Sequence, residues 1–200
     1  GYSNLTGGSR VLFASAMVVT ESAKIVIKQL KQRAAKIWDI DEEAIEWENG
    51  EARPAGDNAG KFAPLTLAEL AEKATVTGGP IGAGYQVNTE GAEGGFATHI
   101  CDVEVDMDLG IVRVKRYTSI QDVGKAIHPD YVEGQLHGGC VQGIGWALSE
   151  EYIYNKDGHL DNTGFLDYRM PVCSDLPMLD TVLIEIPNPK HPQGVRGVGE

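Results

Sequence analysis

Apolar side chains recur at steps of three and four residues along an early segment of the chain, from Val11 to Asp39. This spacing places them on one face of a helix, with polar side chains on the other faces. The apolar positions are Phe13, Met17, Ala23, Val26, Ile27, Leu30, Ala34 and Ile37. The segment therefore predicts one long amphipathic helix, with Ser9 as its N-cap.

Alternating apolar and polar residues predict several β-hairpins in the rest of the chain. IEWENGEARP turns at Asn49-Gly50, a pair that tolerates the positive φ angles of a tight type I′ turn. Residues 98–124 alternate on both sides of a turn at Asp108-Leu109-Gly110, and YIYNKDGHL turns at Asp157-Gly158. MLDTVLIEIP predicts a last strand that ends at Pro187.

Two shorter segments also have helical spacing. PLTLAELAEKA carries Thr66 and Glu69 at the separation of a capping box, and residues 128–152 have Pro129 near their start. Between them, the glycine-rich residues 77–95 predict a long loop. Hairpins with a few helices, without strict βαβ alternation, predict an α+β fold with a mixed, largely hairpin-built β-sheet and packed helices.

Charge, apolar runs, and the spacing of cysteines and histidines indicate which partners, compartment and metal sites to expect. The 200 residues carry a formal charge of −12, from 29 acidic and 17 basic side chains, so we expect neither nucleic acid nor a membrane as a partner. No apolar run is long enough to span a bilayer, and we expect a cytoplasmic protein. Neither the three cysteines nor the five histidines have metal-ligand spacing, so we expect no protein-ligated metal.

The segment from His128 to Tyr152 is unusual for a helix because it contains many glycines. They are Gly134, Gly138, Gly139, Gly143 and Gly145. Each interior glycine destabilises a helix by about 0.5–1 kcal/mol relative to alanine, so five of them need a compensating reason. One reason is close packing against another helix or strand. The other is a cofactor that lies against the helix, to which Gln142 presents a donor and an acceptor.

Two glycine-containing loops carry further candidate chemistry. In TGGSR, Gly7, Gly8, Ser9 and Arg10 combine free N–H groups with a guanidinium, which suits a phosphate or pyrophosphate. An ordinary capped helix with a solvated arginine would have the same sequence. In GVRGVGE, the carboxylate of Glu200 is either a general base beside a cofactor or a surface residue.

Taken in order, four segments resemble the molybdenum-binding subunit of the xanthine dehydrogenase/aldehyde oxidase family, the molybdenum hydroxylases. They are TGGSR, ATHICDVEVDMDLGIVRVKRYTSIQDVGKAIHP, EGQLHGGCVQGIGWALSEE and GVRGVGE. The resemblance implies that residues 1–200 are the second molybdopterin-binding domain of such an enzyme, a fragment of a longer subunit. Their fold is then of the molybdenum cofactor-binding domain type.

The resemblance also implies a chemistry and its residues. The enzyme is then a molybdopterin-dependent oxidoreductase that hydroxylates an N-heterocycle or aldehyde carbon with oxygen from water, with Glu200 as general base. The cofactor is molybdopterin with molybdenum, as the cytosine dinucleotide, held by the pterin and not by a protein side chain. Gln142 and Gly143, with the loop Gly7, Gly8, Ser9 and Arg10, would bind it.

The implied partners are a small-molecule substrate, the remainder of the molybdenum subunit, and 2Fe-2S and FAD groups on other domains or subunits. Because the cofactor would lie between two halves of the subunit, we expect residues 1–200 alone to be inactive. The alternative is a non-catalytic binding or assembly module that retains the fold. A degenerate module should have lost the carboxylate of GVGE or the glutamine of VQG, and this chain has both.

Overall fold

A computed structural model describes residues 5–88 and 93–198 of the chain. It contains two compact units. The N-terminal unit is Ala14–Asn88, and the C-terminal unit is formed by residues 5–13 and 93–198. Each unit has its own three-stranded sheet. The domain predicted over residues 1–200 thus comprises two compact units.

The long helix predicted from Val11 begins with a π-helical turn at Val11–Ser15 and continues as α1, Ala16–Trp38. It ends at Asp39, whose left-handed backbone, with φ of 57°, stops the helical ladder. The prediction that Ser9 is the N-cap is wrong for α1, because Ser15 occupies the cap position. Ser9 itself has a positive φ of 55°, whereas N-cap residues are extended.

The remaining elements of the N-terminal unit follow the local sequence signals. They are β1 (Ile45–Glu48), β2 (Glu51–Pro54), β3 (Leu65–Thr66), α2 (Leu67–Glu72) and α3 (Ala74–Thr77), with β1 and β2 antiparallel. Asn49 and Gly50 both have positive φ, at 52° and 81°, as a type I′ turn requires. The predicted capping box is present, since Thr66 Oγ1 accepts from Glu69 N–H and Thr66 N–H donates to Glu69 Oε2. Buried apolar side chains of α1, the strands and α2 form the core of this unit: Leu30, Ala34, Trp38, Ile45, Ala52, Leu65 and Leu70.

The sheet of the C-terminal unit combines antiparallel and parallel pairing. Its elements are β4 (Ala97–Asp106), β5 (Ile111–Asp122), α4 (Pro129–Leu148) and β6 (Leu179–Ile184). β4 and β5 form the predicted hairpin, with a bulge between Asp102 and Val103. β6 pairs with β5 in parallel, so α4 is the crossover of a βαβ connection. The predicted mixed sheet with packed helices is confirmed, but this parallel pair is not built from a hairpin.

Two smaller expectations for the C-terminal unit need correction. The hairpin predicted at Asp157-Gly158 is reduced to one antiparallel bridge between Tyr154 and Leu160. Trp146, which the sequence favoured as a core residue, is 65% exposed at the end of α4. Within the residues that the structure describes, no helix is both long and apolar enough to cross a membrane.

Candidate functional site

The loop Gly7–Arg10 is a tight turn that leads into the first helical residues. The N–H of Arg10 donates to the Gly7 carbonyl at 3.1 Å, and the N–H of Phe13 donates to the Ser9 carbonyl at 3.0 Å. Gly8 and Ser9 both have positive φ, at 62° and 55°. The turn therefore presents its glycines and the Arg10 side chain at the surface of the C-terminal unit.

A second loop, residues 187–198, follows β6 and is held by buried polar contacts. We call it the C-terminal loop. Asn188 is 1% exposed, its backbone N–H donates to the Gly194 carbonyl at 2.9 Å, and its side-chain amide donates to the Val195 carbonyl at 3.2 Å. Gly124, just beyond β5, forms an antiparallel bridge with Val195. These bonds satisfy the backbone of a loop that belongs to no sheet.

The structure brings these two loops together, although they lie at opposite ends of the sequence. The hydroxyl oxygen of Ser9 accepts a hydrogen bond from the N–H of Val198 at 3.1 Å. A ring N–H of the buried His191 donates to the Phe13 carbonyl at 2.9 Å, and the two rings pack with centroids 4.1 Å apart. His191 is thus structural, in agreement with its lack of metal spacing.

Arg196 anchors the C-terminal loop through an ion pair that the sequence did not reveal. Its Nε lies 3.3 Å from Asp122 Oδ2, and the two side chains are only 8% and 9% exposed. The guanidinium also donates to the Gly94 carbonyl at 3.0 Å and lies 3.9 Å from Glu93. A lone arginine among glycines was visible in GVRGVGE, but its partner is far away in sequence.

Glu93 extends this network to the surface. Its carboxylate lies 2.8 Å from Lys190, and that hydrogen bond together with the charges of Lys190 and Arg196 holds the pKa of Glu93 below its usual value. A carboxyl whose pKa is lowered by folding stabilises the fold above its unfolded pKa. That contribution is lost as the pH falls through the folded pKa.

Two cavities lie where the loops meet. The larger, of about 510 Å³, is lined by residues that include Gly7, Ser9, Arg10, Lys125, His128 and Val198. The smaller, of about 250 Å³, is lined by residues that include Gly7, Gly8, Arg10, Arg196 and Gly197. Arg196 also lines the larger cavity, so Gly7, Arg10 and Arg196 border both. Within the described ranges the Arg10 guanidinium forms no ion pair, which leaves its charge available to an anion.

The glycines of α4 divide between the two explanations that the sequence left open. An added Cβ at Gly145 would overlap Glu150 and lie 2.7 Å from Pro171, so this glycine permits close packing. At Gly134, Gly138 and Gly143 an added Cβ would meet nothing within 4 Å. These three glycines are exposed, so no described residue packs against them.

The other predicted site residues are not gathered at the cavities. Gln142 and Gly143 are exposed on α4 and line neither cavity. Glu200 lies outside the described residues, and Val198 in the wall of the larger cavity is the last described position before it. Among the described residues, no group of three or more His, Cys, Asp and Glu side chains could hold a metal ion.

Comparison with known proteins relates the chain to molybdenum enzymes. A family model described as molybdopterin cofactor-binding domain matches residues 1–177. The nicotine 6-hydroxylase large subunit of Paenarthrobacter nicotinovorans is 31% identical over 100% of this chain and 25% of its own length. Two solved structures are also similar. Quinoline 2-oxidoreductase from Pseudomonas putida 86 has a TM-score of 0.76 and 31% identity over 97% of this chain and 25% of that one. Carbon monoxide dehydrogenase from Oligotropha carboxidovorans has a TM-score of 0.80 and 25% identity over 100% of this chain and 25% of that one. The chain thus spans about a quarter of the length of these relatives.

Proposed function

Because this chain belongs to the molybdopterin cofactor-binding domain family, within the molybdenum hydroxylases, we propose that it is part of the catalytic subunit of a hydroxylase. The enzyme would hydroxylate an N-heterocycle or aldehyde carbon with oxygen taken from water. The observation that carries the proposal is the hydrogen bond between Ser9 and Val198. It joins the Gly7–Arg10 loop to the loop that leads to Glu200, and both residues of the bond line the larger cavity.

The described residues fit a phosphate-bearing organic cofactor. Arg10 supplies a cation without an ion pair in the described part of the chain, and Gly7, Gly8 and Gly197 line the smaller cavity beside it. A guanidinium can bind a phosphate through two hydrogen bonds. Gln142 adds an exposed amide, and the exposed Gly138, one turn before it on the same face of α4, has open space at its Cβ position.

We assign the protein residues the following roles. Gly7, Gly8, Ser9 and Arg10 would bind the pterin or the phosphate of a cytosine dinucleotide tail, and Gln142 with Gly143 would bind the pterin. The bound cofactor supplies the two-electron oxidation of the substrate carbon. Glu200 would accept a proton during the reaction, which is the role of a general base. The C-terminal loop would hold the Glu200 carboxylate in place.

An N-heterocycle is the substrate class that the comparisons favour. Two relatives that match nearly the whole chain at 31% identity are named for nicotine and quinoline, both of which contain ring nitrogens. Iron–sulfur and flavin groups on other domains or subunits would carry the electrons away. The rest of the molybdenum subunit would complete the substrate pocket, so residues 1–200 alone should be inactive.

A substrate panel tests the proposal in the full-length enzyme. We expect the purified molybdenum-loaded enzyme to oxidise quinoline or nicotine faster than benzaldehyde or carbon monoxide, with label from H₂¹⁸O in the product. Oxidation of benzaldehyde alone would move the substrate class to aldehydes, and oxidation of carbon monoxide alone would contradict the hydroxylase assignment. No oxidation of any of the four probes by a fully loaded enzyme would likewise contradict it.

The role assigned to Gln142 predicts an effect on cofactor retention. Gln142→Ala removes an exposed amide that has no packing role in the described structure, so we expect the subunit to fold normally. Loss of one hydrogen bond to a bound group weakens binding by about 0.5–1.5 kcal/mol, or roughly 2- to 13-fold. Metal analysis and pterin fluorescence after gel filtration should show a reduced cofactor content.

Gln32→Ala provides the matched control for this measurement. Gln32 is also an exposed glutamine in a helix, but it lies in the N-terminal unit on α1. The control should retain molybdenum and pterin as the unmodified enzyme does. Equal retention in Gln142→Ala would remove Gln142 from the proposed cofactor site.

A further inference from the structure

The buried ion pair of Arg196 and Asp122 joins the C-terminal loop to the end of β5. Asp122 is the last residue of β5, and its carboxylate also accepts from the N–H of Gly124 at 3.0 Å and of Ile186 at 3.4 Å. The Asp122 carboxylate thus accepts hydrogen bonds from the segment just after β5 and from the segment just after β6, and it also pairs with Arg196.

Arg196 donates three hydrogen bonds in addition to its ion pair with Asp122. Nε donates to the Ile186 carbonyl at 3.4 Å, one terminal nitrogen donates to the Gly94 carbonyl at 3.0 Å, and the backbone N–H donates to the Val123 carbonyl at 3.3 Å. A fixed guanidinium fork can join several acceptors at once, which a lysine cannot do. The arginine therefore ties the C-terminal loop to three other segments.

We propose that Arg196, paired with Asp122, is a positioning residue that holds the loop carrying Glu200 in its working place. The inference rests on the proposed role of Glu200 as general base. Two residues after Arg196, the Val198 N–H is bound to Ser9 Oγ, so the chain is held on both sides of Gly197. The anchored positions Arg196 and Val198 precede Glu200 by four and two residues in the sequence. Burial matters here, because a pair that is largely hidden from water is screened far less than an exposed one.

A neutral double variant tests the pair without leaving a buried charge unpaired. In Asp122→Asn/Arg196→Met, the asparagine oxygen can still accept from Gly124 and Ile186, and the methionine keeps much of the arginine stem. The matched control is Asp102→Asn/Arg116→Met, which neutralises an ion pair between β4 and β5 with both side chains mostly exposed, at 3.5 Å. Each variant loses one carboxylate and one guanidinium, so the net charge changes equally in both.

We expect the neutral double variant of the full-length enzyme to keep its molybdenum content and to lose about 10²-fold in kcat, with KM changed far less, because small displacements of a reacting group have effects of this size. The single variant Arg196→Lys should have a kcat between those of the unmodified enzyme and the double variant, since an ammonium can still pair with Asp122. Turnover is measured with the panel probe that the unmodified enzyme oxidises. Hydrogen exchange of the amides in residues 194–198 should rise in the double variant and stay unchanged in the control.

Two results would overturn the positioning role. One is unchanged exchange at residues 194–198 together with unchanged kcat. The other is a loss of molybdenum that accounts for the whole loss of turnover, because the pair would then hold the cofactor and not the loop. A failure of the general-base proposal looks different, since Glu200→Gln would then remain active whatever the exchange of the loop shows.

Discussion

Glu200→Gln is expected to reduce the turnover of the full-length enzyme about 10²- to 10⁴-fold, which is the usual contribution of a positioned general base. Glutamine keeps the size and the hydrogen-bonding carbonyl of glutamate, but it cannot accept a proton at neutral pH. The cofactor content should therefore stay at the level of the unmodified enzyme. Steady-state turnover and metal analysis on the same preparation measure both quantities.

Glu104→Gln is the control for this loss. Glu104 lies on the exposed β4–β5 hairpin and pairs with Lys115 at 3.3 Å, so its replacement also removes one carboxylate without touching the cavities. Its turnover should match that of the unmodified enzyme. If Glu200→Gln keeps more than about a tenth of the unmodified turnover, a general base in this range of effects lies elsewhere.

Gly124→Ala is expected to detach the C-terminal loop from the end of β5. Gly124 has a φ of 63°, where an alanine costs about 1–2 kcal/mol. The added methyl group would also overlap the Gly194 carbonyl oxygen and lie 2.9 Å from the Arg196 backbone nitrogen. Such overpacking costs about 1–3 kcal/mol more, so the opening free energy of the loop should fall by roughly 2–5 kcal/mol.

The amide of Lys125 reports this opening, because its N–H donates to the Gly194 carbonyl at 2.8 Å. Hydrogen exchange at Lys125 measures the local opening free energy even in a large subunit that does not unfold in two states. Gly110→Ala is the control, since Gly110 has a similar φ of 67° but lies in the β4–β5 turn, where an added Cβ meets nothing within 4 Å. The control should leave Lys125 exchange unchanged. Equal exchange at Lys125 in Gly124→Ala and the unmodified enzyme would mean that the loop does not depend on this contact.

Most secondary structure was predictable because its signals are local. The Asn49-Gly50 turn, the capping box of Thr66 and Glu69, and the long helix α1 each depend on residues within a few positions of one another. The family was also visible in the sequence, since its short motifs occur in order along the chain. The roles of Glu200, Gln142 and the Gly7–Arg10 loop remain predictions.

Only the tertiary structure decided how the ends of the chain meet and what holds them. Ser9 looked like a helix cap, yet its hydroxyl accepts from Val198, 189 residues away. The parallel pairing of β6 with β5, the exposure of Trp146 and the buried pair of Asp122 with Arg196 likewise depend on segments distant in sequence. The amino-acid sequence by itself determined the local elements and the family, because hydrogen bonds and side-chain periodicity within a few residues specify them. The loop anchorage needed the folded chain, because the partner of a buried polar group is set by which distant segments pack together, and no local pattern encodes that choice.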